Sequence, residues 1–405
     1  MDVSLPVVVP KIHHGSLAIA RSLGRLGVEV HGVTPTPSAP AALSRYWRQI
    51  HVWDVELGPA ARAVEYLLEL GRGLGRKALL IPVSDRLTEL VAEHAGALRE
   101  RFLFADLPAQ TVRALTSKKD MYFLARRLGI PTAETAFPRC KADVIHFLDK
   151  AAFPVVLKAI DGTRMKRRAG CTLVIARDER ELLEQYDRLE EPGAPNLMLQ
   201  EYIPGGEDSV WMFNGYFDAD SECLFGITGK KIRQHPAYTG STSLGVCLAN
   251  EEVAAMTRRF MKALGYRGIL DIGYRYDTRD REYKVLDVNP RIGSSFRLFV
   301  DANGLDVARV LYRDLTGQPV PAQAASEGRK WLVEDQDLES CLRYRKDGKL
   351  ELWQWLASLK GIREGAWFAR DDLRPFFAVA GGVSAKAIRK AAPWWAETKR
   401  ISRAA

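Results

Sequence analysis

The nine residues Tyr283-Lys-Val-Leu-Asp-Val-Asn-Pro-Arg291 constrain this chain more than any other segment. Their alternation reads as a strand whose odd-numbered positions share one face, so Asp287 and Asn289 project together, roughly 7 Å apart. A carboxylate and an amide oxygen at that spacing are hard ligands, suited to one or two Mg²⁺ ions carrying a nucleotide's phosphates. Pro290 stops the strand, and Arg291 sets a fixed positive fork beside the same place. An acid, an Asn and an Arg packed at a strand end point to phosphoryl transfer. A half-buried strand running into a polar turn would leave the same string, so other segments must decide between the two.

The length of 405 residues allows two or three domains, and 47% hydrophobic residues suffice for real cores. No apolar run approaches the ~20 residues of a membrane span. The start, Met-Asp-Val-Ser-Leu-Pro, lacks the basic and apolar segments of a secretory signal. Cys140, Cys171, Cys223, Cys247 and Cys341 are scattered, odd in number and without CxxC spacing. That pattern predicts idle thiols in a reducing cytoplasm, with neither a zinc site nor a disulfide framework. A net charge of +9 suits an anionic small ligand, nucleic acid or an acidic membrane surface, and does not choose among them.

The first hundred residues alternate in α/β fashion. Strands are predicted at Val7–Pro10, Val28–Val33 and Ala78–Val83, with helices at Ser16–Leu26 and Arg86–Leu98. This implies a small parallel sheet with covering helices, whose ligand crevice lies at the carboxyl ends of the strands. Those ends carry His13-His14-Gly15-Ser16, Thr34 and Ser84-Asp85; Ser16 and Asp85 read either as helix caps or as part of a substrate site. No G-x-G-x-x-G follows the first strand and no G-x-x-x-x-G-K-[ST] occurs. Gly71-Arg-Gly-Leu-Gly75 follows a helix and precedes a strand, which makes it a terminator and turn.

Thr116–Leu128 reads as a helix. From Thr132 to about Leu189 an α+β unit contains strands Phe153–Lys158 and Cys171–Ala176 and the helix Glu179–Leu189, with Glu190–Pro195 as a linker. A strand-rich stretch from Leu197 to Pro319 ends in the helix Asp306–Leu315. Pro319–Arg329 marks a boundary, and the Trp-rich remainder reads as helical and amphipathic.

Four further elements join the opening motif: Lys119 in Ser-Lys-Lys-Asp-Met, Lys158 at the end of Pro-Val-Val-Leu-Lys, Gln200-Glu-Tyr-Ile203 followed by Glu207, and Gly268-Ile-Leu-Asp271-Ile-Gly-Tyr-Arg-Tyr276. Each is weak alone. In this order and spacing they resemble the ATP-grasp superfamily, and most of all its carboxylate–amine ligase branch, over roughly residues 5–320. The resemblance implies an α/β, Rossmann-like preceding domain (1–115), then an α+β ATP-grasp fold of small lobe (116–195) and large lobe (196–320). The C-terminal helical extension (330–405) lies outside it.

The resemblance also implies roles. Lys119 and Lys158 pair with ATP phosphates. The main chain of Glu201, Tyr202 and Ile203 reads the adenine edge, and Glu207 holds the ribose hydroxyls. Asp287 and Asn289 are metal positions, and Arg291 steadies the anionic intermediate. The first metal position, normally Glu or Gln, falls on Gly273; either Asp271 replaces it or the metal site is degraded. The glycine-rich flap falls on Gly162-Thr-Arg-Met-Lys-Arg-Arg-Ala-Gly170, either a basic lid over a triphosphate or a solvated loop. Lys231, Arg233, Thr239–Ser243 and Arg297 either hold the acid substrate or make ordinary ion pairs and turns.

The implied activity is an ADP-forming ligase that uses ATP with Mg²⁺, or Mn²⁺, to activate a small-molecule carboxylate as an acylphosphate and join it to an amine. A carboxylase or carbamoyl-phosphate type of enzyme, and a nucleotide-responsive protein with a degraded metal site, are the alternatives. No nucleic-acid partner is expected, since no stripe of basic residues interleaved with aromatics occurs outside the flap and the tail. A homodimer is compatible with the reading. Residues 384–405 read as a basic helix around Trp394-Trp395 that either rests on an anionic bilayer or packs on the protein's own body, the second being favoured.

Overall fold

The computed structural model describes residues 1–382 except 151, 161, 172 and 192; of Gly162, Thr163 and Glu207 only the backbone is described. The basic helix expected over 384–405 lies outside these residues. The described strands form three sheets.

The first contains β1 (Val7–Val9), β2 (Val30–Thr34), β3 (Trp47–Val52), β4 (Ala78–Leu80) and β5 (Phe102–Leu103), all parallel, in the order β3-β2-β1-β4-β5. β1 is three buried valines in a row because helices cover both faces, which erases polar alternation. β3 was not legible: Trp-Arg-Gln-Ile-His-Val is a polar edge strand with little hydrophobic signal. The first helix begins at His14, two residues before the expected start. His13, not Ser16, caps it, with Nδ1 accepting from Gly15 N at 3.0 Å. The helix expected over Arg86–Leu98 breaks at His94 into Asp85–Glu93 and Ala95–Leu98. Gly71 lies inside the helix Ala60–Gly73, and Gly75, at φ +70°, makes the turn after it.

Helices Ala109–Thr116 and Lys118–Arg127, divided by the cap Ser117, lead into the second sheet. It contains β6 (Thr135–Ala136), β7 (Val155–Ala159), β8 (Leu173–Ala176) and β9 (Leu197–Glu201), antiparallel, in the order β6-β9-β7-β8. β9 pairs between β6 and β7, so a small lobe ending at residue 195 would lose a central strand. The loop at Glu190–Pro195 is internal to that lobe, and the boundary falls after Glu201. Residues Gly162–Ala169 are a helix where a glycine-rich flap was expected. Its glycines stand only at the ends, and the Thr-Arg-Met-Lys-Arg-Arg-Ala run between them contains no residue that breaks a helix.

The third sheet holds β10 (Val210–Phe217), β11 (Cys223–His235), β12 (Ser241–Cys247), β13 (Gly268–Asp277), β14 (Glu282–Asn289), β15 (Lys330–Leu332) and β16 (Ile362–Gly365) in the order β14-β13-β10-β11-β12-β15-β16. β15 and β16 correct the expectation of a separate helical extension. Residues 330–365 complete the large sheet, and Trp331 is fully buried in it. Residues 319–329 cross as an irregular tether, held by Ala324 N donating to Asp301 Oδ2 at 2.9 Å. Helix Glu334–Lys346 then lies over β11 and β12, and helix Leu352–Ser358 is tied to β11 through Ser358 Oγ, which accepts from Arg233 Nη1 at 2.8 Å. Beyond β16 the chain returns to the first helix: Arg21 is buried, with Nε 2.9 Å from Asp372 Oδ2 and its other nitrogens on the carbonyls of Ala366, Trp367 and Asp372. The described cysteines are free thiols, and no described helix is long and apolar enough to cross a membrane.

Candidate active site

The register of β13 against β14 sets Asp271 opposite Asn289 and Gly273 opposite Asp287. All four positions share one face, and directly opposed residues stand about 5 Å apart. Asn289 Nδ2 donates to Asp287 Oδ2 at 3.0 Å, while its Oδ1 accepts from Arg291 Nη2 at 3.0 Å. A Cβ on Gly273 would lie 2.5 Å from Asp287 Oδ1, so this glycine leaves the room that the Asp287 carboxylate uses. Asp271 fits equally closely against the backbone of Gly293. Burial, with Asp287 adding to it, pushes the Asp271 carboxyl up to about 6 against the pull of Arg291, Lys231 and Asn214. Among the described residues no cluster of three or more His, Cys, Asp or Glu side chains could hold a metal unaided. Two carboxylates and an amide oxygen do fit Mg²⁺, which ordinarily takes its remaining ligands from phosphates and water.

Across the cavity stands the small lobe. Lys158, on β7, donates to Gln200 Oε1 at 2.7 Å. Burial and the neighbouring Lys118 push its ammonium down to about 8, against Asp287. Lys118 lines the cavity with its Nζ on Ala159 O at 2.7 Å, whereas Lys119 turns away over the ring of Phe137, 5.4 Å from its centroid. Of the two adjacent lysines it is Lys118, and not the expected Lys119, that lines the cavity. Neighbours on a helix diverge by about 100°, and Ser117, which caps the helix, sets which of the pair faces inward.

Glu201, Tyr202 and Ile203 all line the same cavity. The Glu201 carboxylate accepts from Glu134 N at 3.0 Å and pairs with Arg279 and, at 3.7 Å, Lys284, so its side chain is already engaged. Glu207 lies in the turn Glu207–Ser209; its side chain is outside the described part of the structure. The basic-lid expectation is corrected for two of its arginines. Arg164 and Arg168 bind Glu191 at 3.2 and 3.0 Å, and carbonyls of the same loop, rather than facing the cavity.

Of the groups proposed to hold the acid, Lys231 lines the cavity, with Nζ on Gly240 O at 3.1 Å, and Thr239–Thr242 line it beside Lys231. Arg233 also reaches the wall, but its guanidinium is fully engaged. It is bidentate on Asp337 at 2.8 and 2.9 Å and donates to Ser358 Oγ at 2.8 Å, so it fastens the C-terminal helices. Arg297 lies outside the cavity, buried between Glu364 and Asp306. Burial alone would lower its basicity, and those two carboxylates raise it. Both corrections share a cause, since the satisfying acids lie far along the chain.

From the first sheet, Asp85 Oδ1 receives Arg291 Nε at 2.6 Å. His13, pushed down to about 3 by burial and the nearby charges of His14 and Lys11, stays neutral and serves as a cap. The whole cavity measures about 1070 Å³ and extends to Tyr344 and Lys349 of the C-terminal segment. That is slightly above the range for a single small-molecule site, about 300–1,000 Å³, so the cavity has room for more than one small molecule. Lys118 and Gln200 are the residues that motif reading passed over. The capping position of Ser117, and the one-face relation of Gln200 to Lys158 across β7 and β9, were the signals that could have found them.

No family model matches the chain. It is 27% identical over 250 residues to the D-aspartate ligase of Enterococcus faecium (strain Aus0004), a match covering 59% of each chain. It is 24% identical over 216 residues to the carbamoyl phosphate synthase large chain of Thermus thermophilus, covering 50% of this chain and 20% of that one. The chain thus spans less than two thirds of the length of these curated relatives. Among solved structures, N5-carboxyaminoimidazole ribonucleotide synthetase from Thermus thermophilus superposes with a TM-score of 0.60 at 18% identity, covering 80% of this chain and 81% of that one. The L-amino acid ligase from Bacillus licheniformis gives 0.59 at 16% identity, covering 78% of this chain and 75% of that one. The biotin carboxylase domain dimer of 2-oxoglutarate carboxylase from Hydrogenobacter thermophilus, in complex with MgADP and bicarbonate, gives 0.59 at 16%, covering 78% and 71%.

Proposed function

From the ATP-grasp fold of this chain, we propose that it is an ATP-dependent ligase that activates a small-molecule carboxylate as an acylphosphate, releasing ADP, and joins it to an amine with loss of phosphate. The observation that carries this reading is the meeting of four parts in one cavity: the hinge Glu201–Ile203, the lysines 118 and 158, the donors Asp271, Asp287 and Asn289, and Arg291. Such a transfer needs alignment and charge neutralisation more than a protein nucleophile. Lys118 and Lys158 offset the triphosphate charge. Asp271, Asp287 and Asn289 hold Mg²⁺, or Mn²⁺ with the same donors, and the ion supplies neutralisation of the charge on the phosphate oxygens. Arg291 orients the acid and then holds the acylphosphate, while Lys231 and the hairpin Thr239–Thr242 line the end where the amine enters. Glu207 keeps its proposed role at the ribose.

The experiment is ADP release from Mg-ATP against a panel of carboxylic acids, with and without amines. Release that needs both an acid and an amine supports the reading; ATP turnover indifferent to every acid and amine sinks it. The panel includes bicarbonate, because the likeness to a carboxylase with bicarbonate bound favours a second reading in which bicarbonate is the acid and the acceptor changes. A nucleotide-responsive protein without catalysis is distinguished by ADP binding that ignores Mg²⁺.

A further inference from the structure

Asp85 opens the helix Asp85–Glu93 at the crevice of the first sheet, and its carboxylate occupies the Nε edge of Arg291 at 2.6 Å. The same guanidinium donates through Nη2 to Asn289 Oδ1, and Asn289 through Nδ2 to Asp287 Oδ2, each at 3.0 Å. A line of four side chains therefore joins the first sheet to the metal-binding strand. The residue at its centre presents one edge to that strand and the other to an acid 206 positions away in sequence.

We propose that Asp85 is an internal occupant of the carboxylate seat on Arg291, which the carboxylate of the substrate must displace; Asp85 is thereby a positioning and specificity-determining residue. The identity of the incoming group rests on the ligase reading above; the pair itself does not. The guanidinium is a planar fork shaped for carboxylates, and a substrate carboxylate has the same shape and charge as the one already on its Nε. The pair is accessible to exchange, with 19% of the Arg291 side chain and 49% of the Asp85 side chain exposed. An ion pair so exposed shifts an equilibrium by no more than about five-fold, enough to handicap a weak acid without barring a well-held one.

The surroundings add selectivity. The nearby cations are already engaged: Lys11 Nζ lies 2.5 Å from Glu56, and Arg86 donates to Gly58 O at 2.9 Å. Ser84 Oγ donates to Glu56 as well. Displaced, the half-exposed Asp85 turns to water, and an acid that carries a donor, a hydroxyl or an ammonium, close to its carboxylate replaces the lost partner better than water does.

The test needs no known substrate. Phenylglyoxal labelling of Arg291, followed by peptide mass spectrometry on the full chain, reads how freely the guanidinium is reached with and without the Asp85 carboxylate on it. Wild type, Asp85→Asn and Asp85→Ala are compared with and without acetate at tens of millimolar as the probe. Labelling is expected to run about two- to five-fold faster in both variants, with acetate slowing it more in the variants than in wild type. Equal rates in all three proteins, or equal protection by acetate, overturn the proposal. With the best acid from the panel, Asp85→Asn should lower the KM for that acid about two- to five-fold and leave the KM for ATP unchanged; a raised acid KM also overturns it. Should no acid drive ADP release in wild type, the ligase reading fails while the labelling still decides the role of Asp85.

Discussion

Lys158→Met should stabilise the protein and weaken its hold on nucleotide in the same stroke. The ammonium of Lys158 falls from 10.5 to about 8 because burial and Lys118 disfavour its charge. At 1.36 kcal/mol per pKa unit, keeping it charged at neutral pH costs about 3 kcal/mol; the open, watered cavity reduces that to about 2. Methionine has nearly the same reach and no charge, but it leaves Gln200 Oε1 without the donor it now has at 2.7 Å, a loss of about 1 kcal/mol. The net expectation is a gain of about 1 kcal/mol in urea unfolding at pH 7. The native group binds its proton more weakly than the unfolded one, so the cost is full below pH 8 and fades as pH rises from about 8 towards 10.5. The advantage of the variant must therefore shrink between pH 7 and pH 10. ADP affinity should fall by about 2 kcal/mol, the scale of a charge-assisted contact. A destabilised variant, a pH-independent gap, or an unchanged ADP titration by calorimetry would each refute the reasoning.

Asp287→Ala and Asn289→Ala should abolish acid-dependent ADP formation with an unchanged circular dichroism spectrum; normal turnover in either would remove them from the metal site. Lys118→Ala should weaken ADP binding by about 1.5–3 kcal/mol and Lys119→Ala by under 0.5, so equal losses in calorimetry would contradict the helix orientation. Arg297→Ala leaves Glu364 and Asp306 buried beside an empty space. It should cost about 3–5 kcal/mol of stability while turnover per folded molecule stays near wild type, and a folded but dead variant would return Arg297 to the active site.

Strand β14 and the turn after it were legible because their information is local. Alternation, the proline stop and the Asp-x-Asn-x-Arg spacing all lie within nine residues, and β14 places them on one face at the cavity. The same is true of the hinge, where a strand end and its turn are contiguous. What was misread depended on partners remote in sequence. Arg233 and Arg297 look like any cations near a substrate until Asp337 and Glu364, 104 and 67 positions away, claim them. β15 and β16 are too short, at three and four residues, to announce strands, and only the pairing of β15 with β12 and of β16 with β15 makes them so. The choice between Lys118 and Lys119 turned on a single step of helix phase, finer than motif spacing resolves.

The buried Arg21 has a consequence for how the protein comes into being. Its partners are Ala366, Trp367 and Asp372, yet it sits on the first helix of the chain. During synthesis the N-terminal sheet leaves the ribosome hundreds of residues before anything can neutralise that guanidinium, and an unpaired charge in a closed core is not tolerated. Until residues 366–372 emerge, the face of the first helix that carries Arg21 lacks both its counter-charge and the carbonyls that receive it. Fragments ending near residue 330 are expected to be cut by protease within the first thirty residues while the full chain resists. Equal resistance would mean that the helix docks without its distant counter-charge. Maturation of the crevice that holds Asp85 is thus tied to the arrival of residues 366–372, so that the two far ends of the described sequence close on one another before the first helix is secured.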